Sequence, residues 1–129
     1  MRTVNHLFAR LIDQDHLAAA AQRTTRGKRR RADIAWFLFN RERELAELHR
    51  ELADGSWQPW RFHILLLRDP KPRVIARASV RDRVVHNAVT LLCEPIFLRS
   101  ASETDLACRK GAGQHRAVLR LLAAMREYR

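Results

Sequence analysis

Cysteine is scarce in this 129-residue chain: only Cys93 and Cys108 occur, and neither has a partner at short spacing. A disulfide framework of the kind that staples small secreted domains is not signalled, and no Cys/His cluster has zinc-site spacing. A reduced, cytoplasmic setting is the expectation. Long apolar runs are also lacking. The opening Met1-Arg2-Thr3-Val4-Asn5-His6 leads into an amphipathic pattern, so neither a signal peptide nor a membrane span is expected. Lysine is confined to Lys28, Lys71 and Lys110, and no Asp-Asp pair occurs anywhere.

What the chain has in abundance is arginine. Lys plus Arg number 25 against 14 Asp plus Glu, a net charge of +11 and a pI near 11.4. Such a balance favours a polyanion partner, because basic groups release counterions from phosphate backbones. Composition does not separate RNA from DNA or from an acidic membrane surface. Arginine suits bidentate phosphate contacts; a GC-rich coding sequence would produce the same excess. Hydrophobic residues make up 47% of the chain, enough for one core at this length but short of a whole polymerase.

Val4, Leu7, Phe8, Leu11 and Ile12 share one helical face, which predicts a short opening helix. Asp15 is the expected cap of a second, alanine-rich helix through Gln22. From Thr24 to Arg31 the periodicity breaks at Gly27, and Lys28, Arg29, Arg30 and Arg31 read as an exposed basic loop. Asp33 is the expected cap of a third helix, with Leu38, Leu45, Leu48 and Leu52 in a stripe and Gly55 as its left-handed stop. Arg43 and Glu47 would pair on its charged face. Phe62 to Leu67 has the composition of a buried strand, and Arg73 to Ala78 is a second extended run. Asp69-Pro70-Lys71-Pro72 between them suits a tight reversal, so an antiparallel hairpin with a basic tip is expected. Ser79 and Asp82 form a capping box that opens a helix carrying Val84, Val85, Ala88, Val89, Leu92 and Ile96, with Pro95 near its end. Leu106-Ala107-Cys108 is a short strand candidate. Ala117, Val118, Leu121, Leu122 and Met125 predict a last amphipathic helix. Neither repeats nor linkers divide the chain.

Two turns carry candidate chemistry. Lys71 and Arg73, on a hairpin tip stiffened by two prolines, would be positioned to grip phosphate; basic turn residues are also often just solvated. Arg109, Lys110, Gly111 and Gly113 precede a helix, where glycines let backbone N–H groups approach phosphate and the helix start adds positive charge. The other reading is an ordinary strand-to-helix turn. Gln114 and His115 stand where a P-loop needs Lys and Ser/Thr.

In order, Gly27-Lys28, Leu45-Leu48-Leu52-Gly55, Pro59, Asp69-Pro70-Lys71-Pro72-Arg73, Arg81-Asp82-Arg83-Val84-Val85-His86, Glu94-Pro95-Ile96-Phe97 and Ala107-Cys108-Arg109-Lys110-Gly111-Ala112-Gly113 resemble the start of bacterial reverse transcriptases. The branch with diversity-generating retroelements, retrons and group II introns is the most similar. The resemblance spans nearly the whole chain. Leu106 departs from a usual aromatic, Val80 from a common Phe, and residues 100–104 fit poorly, which leaves the subclass open.

The resemblance implies an α+β fold: helices plus a small antiparallel hairpin, the fingers subdomain of an incomplete right-hand polymerase. Residues 1–55 would form a helical N-terminal extension and 56–129 the hairpin and fingers helices, in one truncated domain. It implies that Lys71 and Arg73 face the triphosphate of an incoming dNTP, and that Arg109, Lys110, Gly111 and Gly113 lie near the template. Lys28, Arg29, Arg30 and Arg31 are the candidate contacts to nucleic-acid backbone. Arg83 and His86 are expected to pack or hydrogen-bond inside the domain. Partners would be an RNA template, a DNA primer and possibly a separate palm-and-thumb polypeptide, without a membrane.

The family's reaction uses Mg2+ held by palm carboxylates. Asp69, Asp82 and Asp105 occur singly with turn or capping explanations, so no catalytic or metal-binding residue is assigned, no cofactor is expected on this chain alone, and the polypeptide by itself is expected to lack polymerase activity. A non-catalytic basic RNA-binding module is the alternative.

Overall fold

Asp13, rather than Asp15, begins the long alanine-rich helix: its Oδ1 accepts the backbone N–H of His16 at 3.0 Å. Both aspartates precede the same apolar pattern, and the one that leaves Leu17, Ala20 and Ala21 facing inward takes the cap. The computed structural model describes residues 3–102, 104–107 and 111–128. In chain order the elements are α1 (Leu7–Leu11), α2 (Gln14–Thr25), α3 (Ala32–Phe39), α4 (Arg41–Ala53), β1 (His63–Leu67), β2 (Arg73–Arg77), α5 (Val80–Ser100) and α6 (Gln114–Glu127). The architecture is α+β, with one two-stranded antiparallel sheet.

The single helix expected between Asp33 and Gly55 is two. Asn40 leaves helical geometry, and its backbone N–H and side-chain Nδ2 both donate to the Trp36 carbonyl, at 3.1 and 3.0 Å, closing the end of α3. Its own carbonyl then accepts Glu44 N–H and starts α4. Asp33 does not cap α3; Arg31 holds that position, and Asp33 sits in the first turn with Oδ1 accepting from Ile34 N–H at 3.0 Å. Gly55 has φ +74, a conformation that costs a side chain strain but not glycine, and it follows the end of α4 at Ala53 as expected of a left-handed stop.

Two compact units divide the chain, one up to Glu94 and one from Pro95 onward. The core of the first unit joins Leu17, Ala20 and Ala21 of α2, Ile34 and Phe37 of α3, Leu48 and Leu52 of α4, and Val80, Val84, Val85 and Ala88 of α5. The α2–α5 contact also carries a polar latch, in which Asn87 Nδ2 donates to Thr24 Oγ at 2.9 Å and Thr24 Oγ donates to the Ala20 carbonyl. Ring N–H groups of His16 and His49 donate to the Ala88 and Ile12 carbonyls at 2.9 and 2.6 Å. His86, expected to pack inside, is exposed.

Pro95 lies near the end of α5, as expected, and the helix continues to Ser100. Two further expectations are corrected. Leu106 and Ala107 form no strand, while Cys108 lies outside the described residues. Strand β1 is exposed along its whole length, not buried. Its apolar residues satisfy strand propensity, but only β2 pairs with it, so burial comes from one neighbour and not from a covering layer. No helix among the described residues is long and apolar enough to cross a membrane.

Candidate nucleic-acid interface

The hairpin forms in the register His63↔Arg77, Ile64↔Ala76, Leu65↔Ile75, Leu66↔Val74 and Leu67↔Arg73. Residues 68–72 therefore make the tip, and Arg73 is the first residue back into the ladder. Lys71 and Arg73 are both exposed and pair with no carboxylate among the described residues. Because side chains alternate along a strand, Arg73, Ile75 and Arg77 lie on one face of β2.

The base of this hairpin is fastened by the Arg81-Asp82-Arg83 turn. Asp82 is buried and closes the capping box: its N–H donates to Ser79 Oγ at 3.0 Å and its Oδ2 accepts the Ser79 hydroxyl at 2.8 Å. The same carboxylate accepts the Trp60 N–H at 3.2 and 3.3 Å, tying the approach to β1 onto the start of α5. Arg81 reaches α4, with Nη2 2.8 Å from Glu51 Oε1 and Nη1 4.0 Å from Glu47 Oε2. Arg83 reaches α3, with Nη2 3.3 Å from Asp33 Oδ2, and its Nε donates to the Ser79 carbonyl. The internal hydrogen-bonding role expected of Arg83 is therefore present.

Asp33, expected only as a helix cap, is a hub. Arg31 holds it bidentately, at 3.1 and 2.9 Å, while Arg83 and the hairpin's Arg77 approach the same Oδ2 at 3.3 and 3.7 Å. Partial burial pushes its carboxyl up, but the Arg31 hydrogen bond and charge, the Arg77 charge and the Ile34 N–H outweigh this and hold it below its ordinary value. Burial pulls the Arg83 guanidinium the other way, toward the neutral form, aided by Arg31 and Arg77 and opposed by Asp33. Three guanidiniums meet one carboxylate, so the hub keeps excess positive charge.

The candidate residues are thus brought together in part. Lys71 and Arg73 share the hairpin tip. Arg31 is drawn out of the basic loop into the Asp33 hub, while Lys28, Arg29 and Arg30 remain exposed in the turn between α2 and α3. Gly111 and Gly113 belong to the second unit and have positive φ, +76 and +119; Arg116 Nη1 donates to the Gly111 carbonyl at 3.1 Å. Arg109 and Lys110 lie outside the described residues.

Asp82 and Asp33 do not fit a magnesium centre. Asp82 is occupied by Ser79 and Trp60, Asp33 is enclosed by arginines, and no group of three potential metal ligands gathers among the described residues.

Comparison with known proteins adds no relative: no protein-family model matches the chain, and no curated protein matches it.

Proposed function

We propose that this chain is the fingers part of an RNA-directed DNA polymerase and grips phosphates of template RNA and incoming dNTP, leaving the metal-holding carboxylates to a palm. The observation that carries the reading is the hairpin, which puts Lys71 and Arg73 unpaired at an exposed tip. Two cations held at a short, proline-limited turn lose little freedom on meeting phosphate, which is how pre-organisation converts charge into affinity. Behind the tip, Arg77, Asp82 and Arg83 fix the hairpin base to α3 and to the start of α5, so the tip is presented from a fastened support.

The reading is tested by photo-crosslinking the 129-residue chain with an azido-dNTP in the presence of an RNA–DNA template–primer, then mapping adducts by mass spectrometry. Adducts concentrated between Arg68 and Arg77, and lost in Lys71→Ala/Arg73→Ala, are expected. Adducts spread evenly over exposed basic residues would contradict it.

A further inference from the structure

Beside the hairpin base lies a cavity of about 420 Å³, lined by buried Phe37 and Val80, exposed Trp36 and Trp60, buried Glu44, and Arg81 among others. Its volume falls in the range of small-ligand sites, and its lining has their usual make-up of aromatic surface with few polar groups. We propose that it receives one unpaired nucleobase of a single-stranded nucleic acid, guanine in preference to the others; this rests on the nucleic-acid reading above.

Three observations lead there. First, Trp36 and Trp60 are 55% and 68% exposed although they border a cavity, so large indole surfaces are left available for stacking, and stacking on aromatic side chains is how single strands are commonly held. Second, the Glu44 side chain is only 8% exposed, yet the partner it has is the largely exposed Arg43, at a long 3.5 Å. An ionised carboxylate accepts at several lone-pair positions and donates at none. Glu44 therefore has acceptor capacity left in a desolvated place, which matches the adjacent N1–H and N2–H donors on the Watson–Crick edge of guanine. Third, Trp60 and Arg81 also line a neighbouring groove of about 500 Å³ together with Arg50 and Arg61, whose guanidiniums outnumber the Glu51 and Asp82 carboxylates there by three to two once Arg81 is counted. A base in the cavity would leave its sugar-phosphate directed to that groove, where Arg50 and Arg61 are exposed.

Charge decides against the competing occupant, an organic cation. Tryptophans with carboxylates are the usual surroundings of such a cation. Here, however, Asp33, which lines the cavity with Glu44, is outnumbered by Arg31, Arg77 and Arg83 and is not free to hold a further cation.

The test uses nucleosides, which carry no phosphate, and follows the indole N–H resonances of the full 129-residue chain by NMR. Guanosine is expected to shift Trp36 and Trp60 saturably and leave Trp57, which lines neither space, in place. 1-Methylguanosine, with the N1 donor blocked, is expected to bind about tenfold more weakly to the unaltered protein. Glu44→Gln should erase that difference, and the 1-methylguanosine comparison keeps the test valid should this variant fail to fold. Unmoved Trp36 and Trp60 indoles, equal binding of both nucleosides, or shifts with tetramethylammonium and none with guanosine would each overturn the pocket. Salt-dependent RNA binding measured on the same sample separates the two readings, since it can persist when guanosine binding fails and can fail when guanosine binds.

Discussion

At the scale of single residues, the first unit is organised by two aspartates that each do several jobs. Asp82 caps α5 and holds the Trp60 backbone, so Ser79→Ala removes a cap partner and a buried acceptor's donor together. A loss of about 1–2 kcal/mol in denaturant unfolding is expected. Asp33 holds three arginines, and its folded-state pKa lies below the unfolded one. Its contribution is therefore fully present above the unfolded carboxylate value, near pH 4, and is lost as pH falls through the lower folded value. Asp33→Asn should cost about 1–2 kcal/mol at pH 7, discounted for partial exposure, and the gap from the unaltered protein should close on acidification. A gap that stayed constant from pH 7 to pH 2 would show that the hub contributes nothing through charge. The Ser79–Asp82 box was legible because its partners are three residues apart. The Asp33 hub was not, because Arg83 comes from fifty residues away and no local pattern announces it.

At the scale of elements, local chemistry foretold most of the chain. The hairpin, the positive-φ Gly55 and the last amphipathic helix are all where propensity and turn residues place them. The structure departs from the expected pattern where a tertiary or side-chain choice overrides periodicity. Asn40 splits a leucine stripe that runs on across the break, and Asp13 outcompetes Asp15 two positions later. Strand β1 is exposed for another reason: apolar composition reports strand tendency, not the presence of a covering layer. Since nothing lies within 4 Å of a Cβ built at Gly55, Gly55→Ala tests backbone strain alone. It should lower stability by about 1 kcal/mol in thermal unfolding, with Gly55→Asn less costly because asparagine tolerates the left-handed region better.

For the molecule as a whole, charge and exposed apolar surface pull in different directions. A net charge of +11 opposes self-association, while Ile64, Leu66 and Val74 on one hairpin face are each more than 60% exposed. Patches of this kind promote contacts between copies or with a partner. Leu66→Thr/Val74→Thr is expected to weaken self-association about tenfold in sedimentation velocity at high salt, where the charge repulsion is screened, and to leave the helical core intact by circular dichroism. The candidate site was legible only in its outermost part. Lys71 and Arg73 stand out by their prolines and position, whereas the Asp33 hub and the cavity between Trp36, Glu44 and Trp60 are assembled from separated segments.

The central claim is that the hairpin tip meets phosphate. Its most direct test is the affinity of the 129-residue chain for single-stranded RNA across a salt series, compared with Lys71→Ala/Arg73→Ala. Each phosphate contact contributes about 0.7 to the slope of log affinity against log salt for single strands, so the double variant should bind more weakly with a slope shallower by about 1–2. An unchanged slope and affinity would contradict the account.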